Sequence, residues 1–478
     1  PGWPGYFSRW QTDWSNAAHY AAAMNGYSNT RQLFDKTVAR LAGSTGIFDP
    51  AQKSGDPEAS VIVYNGLSWP RGGPVEVSRL PAALREESLE VVDRVTGEVL
   101  PCEDVPQTHR IIMFFSPPVP AFGYRVFSVR KSAAQRPPAG SFPIAIKWNQ
   151  EGWIRSIRDE ASGTEMVDAK SPHPFGSVFT TGNRDDYLLK GGTAAAPVVV
   201  EGPVARSIEI ARQNSPLRRT AITVYSGASY ADIAFDVDFQ QMAGDSARYA
   251  IALPVAGLEQ SWIDGAGLVY RTLQDVLPGG GAAQYTPLHF AHFSLNATNG
   301  ITIANRDAFV LRPDRLFLVA SQGLLTKTRD EGTQRLFRTE PRGSRLQTFR
   351  FRLAAQMHKP AEWKKFGREL NLPLQAAVIP KTQLTPERGF FSVSHPAVEI
   401  TAIKPAEYQA GWYMLRLQEM GGEVARNVSI TTPFRVLEAV IANTVETPSS
   451  ARADLSRMTL HPWETVTIVL RLDANSNR

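Results

Sequence analysis

The chain has 478 residues, 43% of them hydrophobic and 20% charged, with a formal net charge of +5. That composition excludes a disordered or low-complexity chain and leaves room for two or three domains. No apolar run approaches the ~20 residues a membrane-crossing helix needs. The single cysteine, Cys102, allows neither an internal disulfide nor a cysteine-based zinc site.

In chain order, Pro1-Gly2-Trp3 carries neither an initiator Met nor an apolar signal region, which reads as an internal start. Residues 14–42 are expected to be helical. Ala17, Ala18 and Ala21 to Ala23 favour helix, and Leu33, Phe34, Val38 and Leu41 form a stripe ended by Gly43. One such helix cannot bury its own stripe, so it must pack on something else. Residues 43–59 are a polar linker. At Val61 the chain changes character: an apolar strand, Val61 to Tyr64, meets the turn pair Asn65-Gly66, and Trp69-Pro70-Arg71 restarts the chain in extended form.

From there the pattern is short β-branched and aromatic runs between Gly, Pro, Asn and Asp. Residues 60–140 read as a small β unit, closed by the Pro- and Gly-rich stretch 131–140. Residues 141–373 read as a large antiparallel sandwich, with a short helix over 363–370 near its end. Residues 374–478 read as a smaller terminal β-sandwich.

Six strings in sequence order carry a resemblance: Val61-Ile62-Val63-Tyr64-Asn65-Gly66-Leu67-Ser68-Trp69-Pro70-Arg71; the hairpin Gly152 to Asp159 with Ser162-Gly163-Thr164-Glu165; Glu201-Gly202-Pro203-Val204; Gly300 to Asp307; Ala402-Ile403-Lys404-Pro405-Ala406-Glu407; and Leu460 to Thr467. Together they resemble the C-terminal β region of glycoside hydrolase family 38, the α-mannosidases, with a remnant of the helical bundle before it. The resemblance implies a mainly β fold: a large antiparallel supersandwich of galactose mutarotase type, smaller β-sandwich units and an N-terminal helix. It implies, for the whole enzyme, zinc-dependent retaining hydrolysis of α-mannosides. The two carboxyl groups and the zinc, held by two His and two Asp side chains, would lie in an N-terminal α/β domain.

The motifs of that domain are missing. None of His19, His109, His173, His289, His292, His358, His395 and His461 has an Asp two residues later, and the alternating βα pattern is absent. The chain is therefore expected to lack the catalytic domain, to hold no metal or cofactor of its own and to be inactive alone. Zinc is expected in the missing domain. The expected partners are a carbohydrate, an α-mannoside or related glycan, and a catalytic domain or chain; neither nucleic acid nor membrane is expected. One alternative is a separately encoded or processed carbohydrate-binding or assembly subunit. Another is a lyase or other enzyme on a similar supersandwich, which would need Tyr, His and Arg or Lys gathered in one cleft.

Candidate sugar-contacting residues are Asn305, Arg306, Asp307 and Arg312, which follow the Gly300–Ala304 strand and would line the rim of the sugar pocket; the competing reading is a structural hairpin salt bridge. Other clusters read more simply. His289 and His292, three apart, point to opposite faces of a strand and are expected to be structural. Asp185-Asp186 and Arg329 to Gly332 read as solvated turns, and Asp236 and Asp238 share one strand face. Arg335, Arg338, Arg342, Arg345, Arg350 and Arg352 read as a solvated sheet face. Trp148, Trp153, Trp262, Trp363, Trp412 and Trp463 are expected to be mostly core, although exposed Trp rings stack on sugars.

Overall fold

The structure is a computed structural model. It describes residues 58–473 except 79, 85–87, 106–110, 133–138, 182–186, 190, 239–247, 258–259, 266, 281–283, 297–298, 309, 313–314, 322–325, 328–333, 336–345, 356, 380–383 and 408, together with positions 29, 33, 36 and 37. Those four positions are helical and exposed, and Thr37 Oγ1 donates to the Leu33 carbonyl at 2.8 Å. The rest of the expected N-terminal helix, Asp185-Asp186 and Arg329 to Gly332 lie outside the described residues. No described helix is long and apolar enough to cross a membrane.

The chain is mainly β with antiparallel pairing throughout the named strands, as the sequence leads one to expect. In the first unit, Glu58–Asn65 lies between Gly123–Lys131 and Gln375–Ile379, and Leu89–Asp93 and Val99–Leu100 extend the sheet. A second sheet of Arg71–Val77, Ile112–Val119 and Cys102–Asp104 faces it. Alternation on Glu58–Asn65 sends Val61 and Val63 into the core between these sheets, with Val75, Phe114 and Phe127. Ile62 faces the other side, against Tyr124 and Ile379.

The string at residues 61–71 is a knot rather than a simple turn. Asn65 is fully buried, and its amide donates to the carbonyls of Trp69 (2.8 Å), Val119 and Pro120 (both 3.1 Å). Its side-chain oxygen accepts from Leu67 N–H and from Arg71 Nε. Trp69 Nε1 donates to Glu369 and Arg71 Nη2 to the Leu372 carbonyl, which ties the knot to a helix 300 residues away.

That helix, Pro360–Asn371, contains the expected 363–370 segment; Pro360 at its start is tolerated because the first turn needs no N–H there. Its buried stripe of Trp363, Phe366 and Leu370 rests on the large sandwich. Among the described residues the major sheet of that sandwich runs Thr193–Ala194, Ala205–Gln213, Leu217–Tyr225, Ala228–Asp238, Leu346–Ala355, Gly300–Asn305, Phe290–Ser294, Gln260–Gly265, Leu268–Arg271. A second sheet, centred on Arg248–Ala252, covers its inner face, where Ile222, Ile233, Phe235, Phe349 and Phe351 are buried. The terminal unit is a sheet of Val398–Pro405, Trp412–Glu419, Thr465–Leu472, Val436–Ala442 and Pro448–Arg452 over its own core, including Leu415, Leu417, Val428 and Ile468.

Candidate functional site

Side chains alternate across a strand, so the three central strands of the large sheet send a second set outward. Register aligns that set in rows. Arg219 lies opposite Asp236, which lies opposite Thr348; the next row is Ala221, Ala234 and Arg350; the next is Thr223, Asp232 and Arg352. Small residues therefore form the middle of the floor, between two rows of ion pairs. A wall rises over it from Pro74, Glu76 and Ser78, the outward-facing positions at the end of Arg71–Val77, and from residues 373–376 just after the helix. The cleft between floor and wall has a volume of about 570 Å³.

Its polar groups are organised. Arg352 holds Asp232 through two contacts, Nε to Oδ1 at 2.5 Å and Nη2 to Oδ2 at 2.9 Å, and its Cζ lies 4.0 Å from the ring centroid of Tyr230. Tyr225 donates its hydroxyl to Asp232 at 3.1 Å. Burial works against the charge of Arg352, but Asp232 and the two tyrosines more than restore it, so the guanidinium is held above its usual range. Burial pushes both Tyr225 and Tyr230 up, which leaves them hydrogen-bond donors at neutral pH. Behind them Arg71 is pushed down to about 10 by burial; Glu369 opposes the fall and Arg352 adds to it. Glu76 is open to water at its surface, yet protein on both sides strips part of its hydration and pushes its carboxyl up.

No family profile matches the chain, and no curated protein sequence does either. Its structure does have relatives. An α-mannosidase from Enterococcus faecalis V583 superposes with a TM-score of 0.64 at 14% identity, over 88% of this chain and 57% of that one. A glycosyl hydrolase family 38 protein from Enterococcus faecalis gives 0.64 at 15% identity, over 89% of this chain and 59% of that one. The chain has the fold of these family 38 proteins. It spans less than three fifths of their length.

Against this family 38 fold, the four candidate rim residues divide. Arg306 is exposed and lines the cleft. Asn305 is buried; its side chain closes the turn by donating to the Ala308 carbonyl and accepting from Ala308 N–H at 3.0 Å. Asp307 grips Arg350 in a two-pronged pair at 2.9 and 3.0 Å and also accepts from its backbone N–H. Arg312 belongs to another turn, where its carbonyl accepts from Arg315 N–H at 2.9 Å, and it does not line the cleft. Arg350 and Arg352 of the arginine series sit on the outer face of the sheet, each with a carboxylate partner.

The remaining candidates are built into the structure. His289 pairs with Asp264 at 2.7 Å, while His292 bonds Thr302 and stacks on Trp363 at 3.8 Å, so the two rings have separate partners. Burial, with His358 nearby, pulls His292 down to about 3, and the ring is neutral. Asp236 accepts from Arg219 and Thr348, and Asp238 from Arg218. Trp153 and Trp363 are buried, and Trp148, Trp262, Trp412 and Trp463 are half-buried. Among the described residues no three His, Cys, Asp or Glu side chains converge as a metal site would require. Sequence reading did not find Tyr225, Tyr230, Asp232 or Glu76. The available signal was acidic residues at period two on Ala228–Asp238 facing arginines at period two on Leu346–Ala355.

Proposed function

We propose that this chain is the C-terminal β portion of a family 38-like glycoside hydrolase, and that it scaffolds an α/β domain which hydrolyses α-mannosides with retention. The observation that carries this reading is the fold likeness, over 88% of this chain but 57% of the α-mannosidase. In this reading zinc and both reacting carboxyl groups belong to the catalytic domain, and no step of the chemistry runs through the residues described above. Of the four rim candidates, Arg306 is the one whose exposure and place at the cleft suit it to touch a sugar. The knot at Asn65, Trp69 and Arg71 supplies rigidity, which a scaffold for precise chemistry needs.

A separately encoded subunit with the same fold would make the same contacts. The discriminating observation is the coding sequence upstream: an in-frame α/β domain with a His-x-Asp motif supports the first reading, and a stop followed by a start supports the second. The lyase reading draws less support. Among the described residues no histidine lines the cleft, and Tyr225, the tyrosine in its lining, is pushed away from the range in which it would act as a base. The purified chain, given an aryl α-mannoside and zinc, is expected to show no turnover above buffer. Turnover comparable to that of a complete family 38 enzyme would overturn the scaffold role.

A further inference from the structure

We propose that the cleft over Ala221, Ala234 and Thr223 is a binding site for a neutral saccharide of about two rings. The proposal rests on the carbohydrate side of the reading above and is independent of its catalytic side. Arg306, Arg350 and Arg352 bring three positive charges to the cleft, and Asp307, Asp232 and Glu76 match them in number; Arg350 and Arg352 are each gripped by a carboxylate of their own, Asp307 and Asp232. A free anion would have to compete with both pairs, and Glu76 on the facing wall offsets the pull of Arg306. A free cation meets three guanidiniums, those of Arg306, Arg350 and Arg352. The ligand that suits such a lining is uncharged and rich in hydroxyls.

The shape of the cleft points the same way. A pyranose has C–H faces and a hydroxylated edge, and it needs a small apolar platform flanked by planar polar groups that can serve two neighbouring hydroxyls. The row Ala221–Ala234 supplies two methyl groups side by side, because these residues are directly opposite in register. Planar groups lie around it: the guanidiniums of Arg350 and Arg352 on the next strand, and Glu76 across the gap. The volume, about 570 Å³, lies within the ~300–1,000 Å³ of small-molecule sites and takes more than one sugar ring. The floor is also pre-formed: it sits on three paired strands rather than on loops, so little ordering is lost on binding.

The test is a titration of the full chain with mannobiose and cellobiose, followed by calorimetry and saturation-transfer NMR, with glucuronic acid and inorganic phosphate as charged probes. A neutral disaccharide is expected to bind saturably and better than methyl α-mannoside, and the charged probes are expected not to compete. Ala234→Phe fills the platform and should abolish binding. Glu76→Gln, on a water-exposed position that does not threaten folding, should weaken it about tenfold, or about 1.4 kcal/mol. Both variants are checked by thermal melting. No saturable saccharide binding, tighter binding of either charged probe, or unchanged affinity in Glu76→Gln would each overturn the proposal. Turnover is not read in this assay, so such a failure leaves the scaffold reading standing.

Discussion

Asp93 and Arg125 show how a single buried pair fixes a strand register in the first unit. The Asp93 side chain is wholly buried; it accepts from Arg125 through both Nε, at 3.0 Å, and Nη2, and from Val95 N–H and Thr96 Oγ1, each at 3.0 Å. Burial alone would raise its carboxyl, but these four donors outweigh that and hold it below the usual carboxylate range. Asp93→Asn takes away the buried carboxylate partner of Arg125, which keeps Glu387 at 3.3 Å and the Pro118 carbonyl, and is expected to cost about 1–3 kcal/mol in urea unfolding. The sign of the pH effect follows. A depressed pKa in the folded state stabilises at pH above the unfolded value, about 3.9, and that stability is lost as pH falls through the folded value. The gap between parent and Asp93→Asn should therefore narrow below about pH 4, and a gap constant from pH 7 to pH 3 would contradict the assignment. At this scale the sequence is legible in part. Asn65-Gly66 announces a turn and Trp69-Pro70-Arg71 an extended restart, but nothing local says that Trp69 bonds Glu369 or that Arg71 bonds Leu372. Those partners are chosen by the tertiary fold.

The helix Pro360–Asn371 was readable because its stripe has the period of a helix and its partner is a flat sheet face. Gly367, in its middle, was not readable. Glycine in a helix interior ordinarily costs about 1 kcal/mol relative to Ala, so Gly→Ala at an exposed position stabilises. Here a Cβ on residue 367 would stand 2.8 Å from His289 Cβ and 2.9 Å from the His289 carbonyl oxygen. The obstruction is backbone and cannot swing aside. Gly367→Ala is therefore expected to destabilise, by roughly 1–3 kcal/mol, as overpacked cores do. A rise in the urea midpoint would show that the helix can lift from the sheet at little cost. The cleft was legible to the same limited degree. Period-two charge on Ala228–Asp238 and on Leu346–Ala355 can be seen in each strand alone. That Asp232 meets Arg352 rather than Arg350 depends on a register set 120 residues apart.

Across the whole molecule the chain closes on itself, and the closure lies where the sequence shows only another short apolar run. Gln375–Ile379 returns to the first unit and pairs along Glu58–Asn65, Ser60 opposite Ile379 through Tyr64 opposite Gln375. Glu387–Gly389 then pairs with Gly123–Lys131, and Ile400 N–H donates to Ser68 Oγ at 3.1 Å. These contacts bind the first unit to the segment that follows the large sandwich, residues 375–400. Strand-forming runs are visible in one sequence; pairing between runs more than 300 residues apart is decided by core packing and turn geometry at many other positions. The consequence is testable by truncation. A chain ended at residue 373 keeps the large sandwich and the helix but strips Glu58–Asn65 of one neighbour, exposing its N–H and C=O groups along an open edge. It also uncovers Ile62, whose packing partners include Ile379. Open apolar edges recruit other chains. The 373 truncation should therefore aggregate or bind a hydrophobic dye, and a chain extended to 389, which restores both returning strands, should not. If the shorter chain is as soluble and melts as sharply as the longer one, the returning strand is an ornament on a first unit that holds itself together. If it fails alone, the first unit is completed only when the chain has passed through the large sandwich and come back, and the floor and wall of the cleft are held at a fixed distance by that same return.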